Sequence, residues 1–166
     1  MKNDNIVLIG MPGCGKSTLG IVAAKMLCMD FLDVDLIIQK NIGTSLQEYI
    51  DRFGVEAFLE KEADTVLTLN CENTVIATGG SAVLKERAAE RLRSLGKMVY
   101  IKLPIEEIER RVTNLHSRGV AMNAGQTLRD VYELRRPIYE KYADLSVDVS
   151  GNDIAENCRR LVEMVR

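Results

Sequence analysis

The 166-residue sequence has no tryptophan, three prolines and one histidine, and no long apolar run. Each shortage excludes something. A bilayer-crossing helix needs roughly 20 consecutive apolar residues, and nothing here approaches that length. The N-terminal "MKNDNIVLIG" carries a short apolar run without a cleavage site for export, so a cytoplasmic location is the expectation. The four cysteines, Cys14, Cys28, Cys71 and Cys158, form no CxxC pair and no zinc spacing, and His116 is the one histidine available to join them. They read as reduced structural thiols rather than as metal ligands or a redox pair. Lys plus Arg number 22 against 24 Asp plus Glu, a net charge of -2, which removes the electrostatic reason to expect a nucleic-acid partner or an acidic membrane surface.

What remains is an ordinary globular composition, 46% hydrophobic and 28% charged. The length fits one domain over residues 1–166 with a real core. Short β-rich runs at Ile6–Ile9, Phe31–Leu32, Thr74–Ala77, Met98–Ile101 and Ser146–Val149 alternate with segments of helical period. That alternation predicts an α/β fold, a parallel sheet covered by helices on both faces. One segment breaks the pattern: "HSRGVAMNAGQT", His116 to Thr127, is small, polar and weakly periodic. An irregular stretch of that length in a compact domain is a functional loop or a surface insertion.

The strongest chemical signal is "GMPGCGKST", Gly10 to Thr18, which fits G-x-x-x-x-G-K-[ST] completely. An apolar strand feeds it and a helical pattern leaves it, the context that separates a phosphate-binding loop from a chance match. Gly13 and Gly15 let backbone amides converge on phosphate oxygens, Lys16 can reach the β and γ phosphates, and the Ser17 hydroxyl can ligate Mg²⁺.

A second signal is "FLDVDL". If the strand continues past Leu32, Asp33 and Asp35 project to one side, at the sheet edge where the phosphate loop also lies. One carboxylate can then hold the Mg²⁺ shell and the other can orient or deprotonate an attacking hydroxyl. The alternative is that one of them caps the helix beginning at "LIIQK". "VIATGGS" reads as a buried strand ending in Gly79 and Gly80, which either approach a ligand or only turn the chain. Arg118 lies in the irregular segment, where a cation can close over a triphosphate.

Taken together, "GMPGCGKSTLG", "FLDVDLIIQKNIGTSLQEYIDRFGVEAF", "VIATGGS", "RRVTNLHSR" and "ELRRPIYEKYAD" resemble the shikimate kinase family, in the nucleoside-monophosphate-kinase-like group of phosphate-loop proteins. The resemblance implies a three-layer P-loop NTPase fold with a five-stranded sheet in order 2-3-1-4-5, an acceptor-binding segment near residues 34–62 and a lid near 114–127. It also implies a monomeric kinase that uses ATP and Mg²⁺ to phosphorylate a hydroxyl of a small acid, with shikimate the leading acceptor, in aromatic amino-acid biosynthesis. By position, Gly13, Cys14, Gly15, Lys16, Ser17, Thr18, Arg111 and Arg118 would hold the nucleotide, and Ser17 and Asp33 the metal. Lys16, Asp35 and Arg118 would be catalytic, with Asp35 the base. Asp35, Leu59, Gly79, Gly80, Ser81 and Arg135 would line the acceptor pocket, Arg135 gripping a carboxylate.

Three departures fall on the acceptor and lid side. The family carries an arginine directly after the phenylalanine of G-x-x-x-F-R, and here "GVEAF" is followed by Leu59; the usual GGG turn ends in Ser81; and the lid's R-P-L-L is "RGVA". One missing arginine removes a charge-assisted hydrogen bond of about 1.5–3 kcal/mol. That weakens acceptor use roughly tenfold to a hundredfold unless Arg52, Lys85 or Arg136 substitutes. Leu59 itself is expected to face the pocket, the alternative being a core stripe of Val55, Leu59, Ala63 and Val66. Two further readings stay open: a related kinase acting on a different hydroxyl compound, and a nucleotide-binding module without transferase activity.

Overall fold

The run "NIVLI" forms β1 (Asn5–Ile9), and every one of its residues is buried. β3 (Thr74–Ala77) is buried throughout as well. After a polar first residue, Asn5 or Thr74, both read as continuous apolar runs instead of alternating ones, as strands covered on two faces must. The computed structural model describes residues 4–113, 118–151 and 153–166. In it β2 (Asp30–Asp33), β4 (Gly96–Lys102) and β5 (Leu145–Asp148) complete a parallel sheet in the expected order, β2-β3-β1-β4-β5.

Eight helices are described: α1 (Lys16–Leu27), α2 (Val34–Ile42), α3 (Leu46–Phe53), α4 (Val55–Thr68), α5 (Glu86–Leu95), α6 (Ile105–Arg111), α7 (Leu128–Tyr142) and α8 (Ile154–Val165). They cover both faces of the sheet. α1 packs on β1, β2 and β3 and against α8, α5 packs on β1 and β4, and α4 joins α5 to α2 and α3. Asn5 fastens the starts of three strands together. Its amide donates to the Cys71 and Leu95 carbonyls and its carbonyl oxygen accepts from the Thr74 amide, so a buried polar side chain is fully used.

Register decides where the site forms. Leu8 pairs with Ala77, and Ala77 with Asp33, so β1, β3 and β2 end level with one another. The segments that leave them, 10–15, 78–81 and the start of α2, open side by side at the C-terminal edge of the sheet, where open α/β sheets bind ligands. Residues 118–127 are irregular, as expected, until Thr127 and Asp130 form a capping box that starts α7. Arg135 and Arg136 lie inside α7 together with Pro137. Residues 114–117 of the expected lid, His116 among them, fall outside the described residues. The four cysteines are free thiols, and among the described residues no helix is long and apolar enough to cross a membrane.

Candidate active site

The phosphate loop turns sharply into α1. Gly13 and Gly15 have φ of 78° and 93°, in the left-handed region where a side chain is strained, and Gly15 serves as the helix N-cap without any side-chain partner. The first amides of α1 are thus left free for an anion. Lys16 folds back over its own loop. Its Nζ donates to the Gly10 and Met11 carbonyls, each at 2.8 Å, with Cys14 Sγ 3.6 Å away. The ammonium is held at the mouth of the loop by neutral groups that a phosphate oxygen can displace.

Asp33 does both things that its sequence left open. Oδ2 accepts the Ser17 hydroxyl at 2.7 Å, and Oδ1 accepts the Asp35 amide at 3.0 Å and caps α2. The expectation that strand alternation aligns Asp33 with Asp35 is corrected: β2 ends at Asp33 and α2 begins at Val34. Asp35 reaches the site from the first helical turn instead. Ser17 and Asp33 are adjacent hard oxygen donors beside the phosphate loop, a set that suits Mg²⁺ sharing its shell with phosphate and water.

Asp35, Gly79, Gly80, Ser81, Arg118 and Arg135 line one cavity of about 260 Å³ together with Gly13, Gly15, Lys16 and Ser17. Burial is the largest influence on Asp35; it raises the pKa, Asp33 raises it further, Lys16 lowers it, and the result is about 6. Among the described residues Asp35 Oδ1 is buried with no hydrogen-bond partner, and so is Arg135 Nη1. The other arm of Arg135 donates to the Ala121 carbonyl, which ties α7 to the irregular segment. A Cβ on Gly79 would lie 2.8 Å from Asp35 Oδ1 and 2.6 Å from Glu62 Oε2, so only glycine fits between the two acids.

Sequence reasoning missed two residues here. Glu62 lines the cavity and is 1% exposed. Oε1 accepts the Ser81 hydroxyl at 2.7 Å, and Oε2 is unpartnered. Burial dominates its titration; the Ser81 hydrogen bond lowers the pKa, Asp35 raises it, Arg135 and Lys16 lower it, and it stands at about 8. The signal was its place one turn after Phe58 and one turn before Val66, an acid in an apolar stripe. Tyr139 is fully buried, donates its hydroxyl to the Gly80 carbonyl and packs its ring 5.2 Å from that of Tyr100. It fixes the glycine turn from α7, one helical turn after Arg135.

Leu59 is not part of the cavity wall. It is half-buried and packs against the core, whereas Phe58 both joins the core and lines the cavity. The expected stripe is rotated: α4 buries Phe58, Glu62, Ala63, Thr65 and Val66, and leaves Val55 and Leu59 half-exposed. None of the three candidate substitutes for the missing arginine lines the cavity. Lys85 pairs with Glu56 and Glu60, Arg52 lies over the Phe53 ring and Arg136 over the Tyr132 ring. The cations on the wall are Lys16, Arg118 and Arg135.

A second cavity adjoins the first through Gly13, Gly15, Thr18 and Arg118, which line both, and it is walled further by Cys14, Arg111, Val149 and Asn157. Arg111 is steadied there by the Gly151 carbonyl at 2.9 Å and by Glu107. Arg118 therefore lies on the wall of both cavities.

The shikimate kinase family model matches residues 12–166. The chain belongs to the shikimate kinase family. Curated shikimate kinases from two Clostridium botulinum strains are similar to it: that of strain 657 / Type Ba4 is 39% identical, over 83% of this chain and 84% of its own. That of strain Eklund 17B is 36% identical, over 94% and 93%. The solved structure of shikimate kinase from Acinetobacter baumannii in complex with shikimate superposes with a TM-score of 0.90 at 26% identity, covering 98% of this chain and 93% of that one. As a shikimate kinase family member the chain is a phosphotransferase that acts on an alcohol group, with ATP and Mg²⁺ as its cofactors.

Proposed function

We propose that the protein transfers the γ-phosphoryl group of ATP to a hydroxyl of shikimate, giving shikimate 3-phosphate, and that it does so as a cytoplasmic monomer built from one domain. The observation that carries this reading is the single cavity that brings Lys16, Ser17, Asp35, Arg118 and Arg135 together. The A. baumannii relative, of the same fold, has its structure solved in complex with shikimate.

In this reading residues 34–62 hold the acceptor and the segment near 114–127 covers the nucleotide. The Arg135 guanidinium, with one buried Nη unpartnered, takes the acceptor carboxylate. Gly79 and Gly80 leave room for the ring beside it, and Asp35 Oδ1 accepts the hydroxyl proton. The hydroxyl oxygen then bonds to the γ-phosphorus as the bond from that phosphorus to the β–γ bridging oxygen breaks, and ADP leaves. Lys16 and Arg118 hold the phosphoryl oxygens. Bound Mg²⁺, held by Ser17 and Asp33, supplies charge neutralisation at the β and γ phosphates. Arg111 packs on the adenine.

The test is ADP release by the purified protein with ATP and Mg²⁺ against shikimate and a panel of hydroxy acids, sugars and amino-acid alcohols. Turnover of shikimate well above every other compound is the expected result. One observation favours a second reading, a different hydroxyl acceptor: none of Arg52, Lys85 and Arg136 lines the cavity in place of the arginine that Leu59 replaces. Strong turnover of another panel member with weak use of shikimate would establish it. ATP binding with no turnover of any compound would favour the binding module.

A further inference from the structure

Three buried polar atoms on the wall of the acceptor cavity have no hydrogen-bond partner among the described residues: Asp35 Oδ1, Glu62 Oε2 and Arg135 Nη1. A folded chain tolerates such atoms where a ligand completes them. Two of them belong to the proposed reaction. Glu62 does not, and the group that holds it is Ser81.

The geometry assigns the proton of Glu62. A carboxyl that is 1% exposed and has one hydroxyl partner cannot replace its lost hydration, so the neutral form is favoured. Its pKa of about 8 agrees. Ser81 donates to Oε1, which leaves Oε2 to carry the hydrogen on the side facing Gly79. The charged and titratable groups around it are Asp35 from α2, Arg135 from α7 and Lys16 from α1.

We propose that Ser81 is a positioning residue: by occupying one oxygen of Glu62 it makes the other a hydrogen-bond donor aimed at an oxygen of the acceptor. This rests on the reading of the cavity as the acceptor site and sharpens it. The wall then offers a donor at Glu62, an acceptor at Asp35 and a cation at Arg135. The two carboxyl oxygens both crowd the missing Cβ of Gly79, so the hydroxyl that meets Asp35 has a neighbouring oxygen within reach of Glu62. The matching ligand is a polyhydroxy acid with adjacent oxygens, and a lone alcohol leaves Glu62 unsatisfied.

Two measurements test this. Infrared difference titration of the free protein follows the protonated-carboxyl stretch, assigned to Glu62 by its loss in Glu62→Gln. The band is expected at pH 7, shifted in frequency in Ser81→Ala and restored in Ser81→Thr. A missing band, or one indifferent to Ser81→Ala, overturns the inference whether or not shikimate is the acceptor. In steady state with shikimate, Ser81→Ala is expected to raise the acceptor KM about tenfold, the size of one lost hydrogen bond, with the KM for ATP within about twofold of wild type. Losing the Ser81 hydrogen bond also moves the alkaline limb of the pH profile upward, and Ser81→Thr restores both. Equal rises in both KM values overturn the positioning role. A wild-type protein that ignores shikimate defeats the acceptor reading instead, and the infrared response to Ser81 tells that failure from the first.

Discussion

The Ser17 hydroxyl donates to Asp33 Oδ2 at 2.7 Å while Asp33 Oδ1 accepts the Asp35 amide at 3.0 Å. One carboxylate thus connects the phosphate loop, the end of β2 and the start of the helix that carries the proposed base. Its two duties are separable. Asn caps a helix about as well as Asp, whereas Ala gives up about 1 kcal/mol. Asp33→Asn is therefore expected to keep the melting temperature within a few degrees of wild type and to raise the Mg²⁺ concentration needed for half-maximal activity at least tenfold. Asp33→Ala is expected to do both kinds of damage. Thermal melts and Mg²⁺ titrations check the pair, and an unchanged Mg²⁺ requirement in Asp33→Asn would remove Asp33 from the metal shell.

As the base of the proposed reaction, Asp35 is expected to set the acid limb of the pH profile. Burial and then Asp33 raise its pKa to about 6, against the lowering effect of Lys16. A base works in its deprotonated form, so kcat/KM rises with pH through about 6 and levels off above it. Asp35→Asn cannot accept the proton and is expected to lose at least a hundredfold in kcat, as general-base removal typically does, with the KM for ATP little changed. A pH–rate profile with no limb near 6, or near-normal turnover in Asp35→Asn, would assign the base elsewhere.

Arg135 carries the acceptor carboxylate in the proposed reaction. One Nη is already committed to the Ala121 carbonyl and the other is free and buried. A lysine has one nitrogen on a flexible stem and cannot serve both. Arg135→Lys is expected to raise the acceptor KM tenfold to a hundredfold and to leave the KM for ATP close to wild type. Acceptor kinetics at fixed ATP decide it; a KM within twofold of wild type would mean that the carboxylate is held by another group.

The phosphate loop and the sheet were legible because each has a signal that packing does not alter. Gly10 to Thr18 is a spacing, and the runs at β1 and β3 are apolar whichever way their neighbours turn. Asp33 was legible only as a choice between capping a helix and serving a site, and the choice was false because a carboxylate has two oxygens. The wall formed by α4 was misread by one residue. Phe58 and Leu59 are neighbours about 100° apart on the helix, and which of them faces the cavity depends on how α4 sits against α2 and α5. Composition also hid Glu62, since Glu56 and Glu60 look the same in sequence and lie on the outside in ion pairs with Lys85. Tyr139 stood in a quoted motif without a role, because its partner is a backbone carbonyl 59 positions away.

Glu62 also leaves a mark on stability that does not depend on the acceptor. Its folded pKa of about 8 lies above its ordinary value of 4.5, so the folded state binds the proton more tightly than the unfolded state does. Stability from this group is full below about 4.5, falls as the pH rises and is lost by the time it passes 8. Gln has the same shape, keeps a carbonyl oxygen for the Ser81 hydroxyl and does not titrate. Glu62→Gln is therefore expected to melt near wild type at pH 5 and several degrees above it at pH 8.5. Thermal unfolding across that range is the measurement. A difference in melting temperature that stays constant with pH would show that Glu62 carries no raised pKa, and with it would go the proton assigned to Oε2.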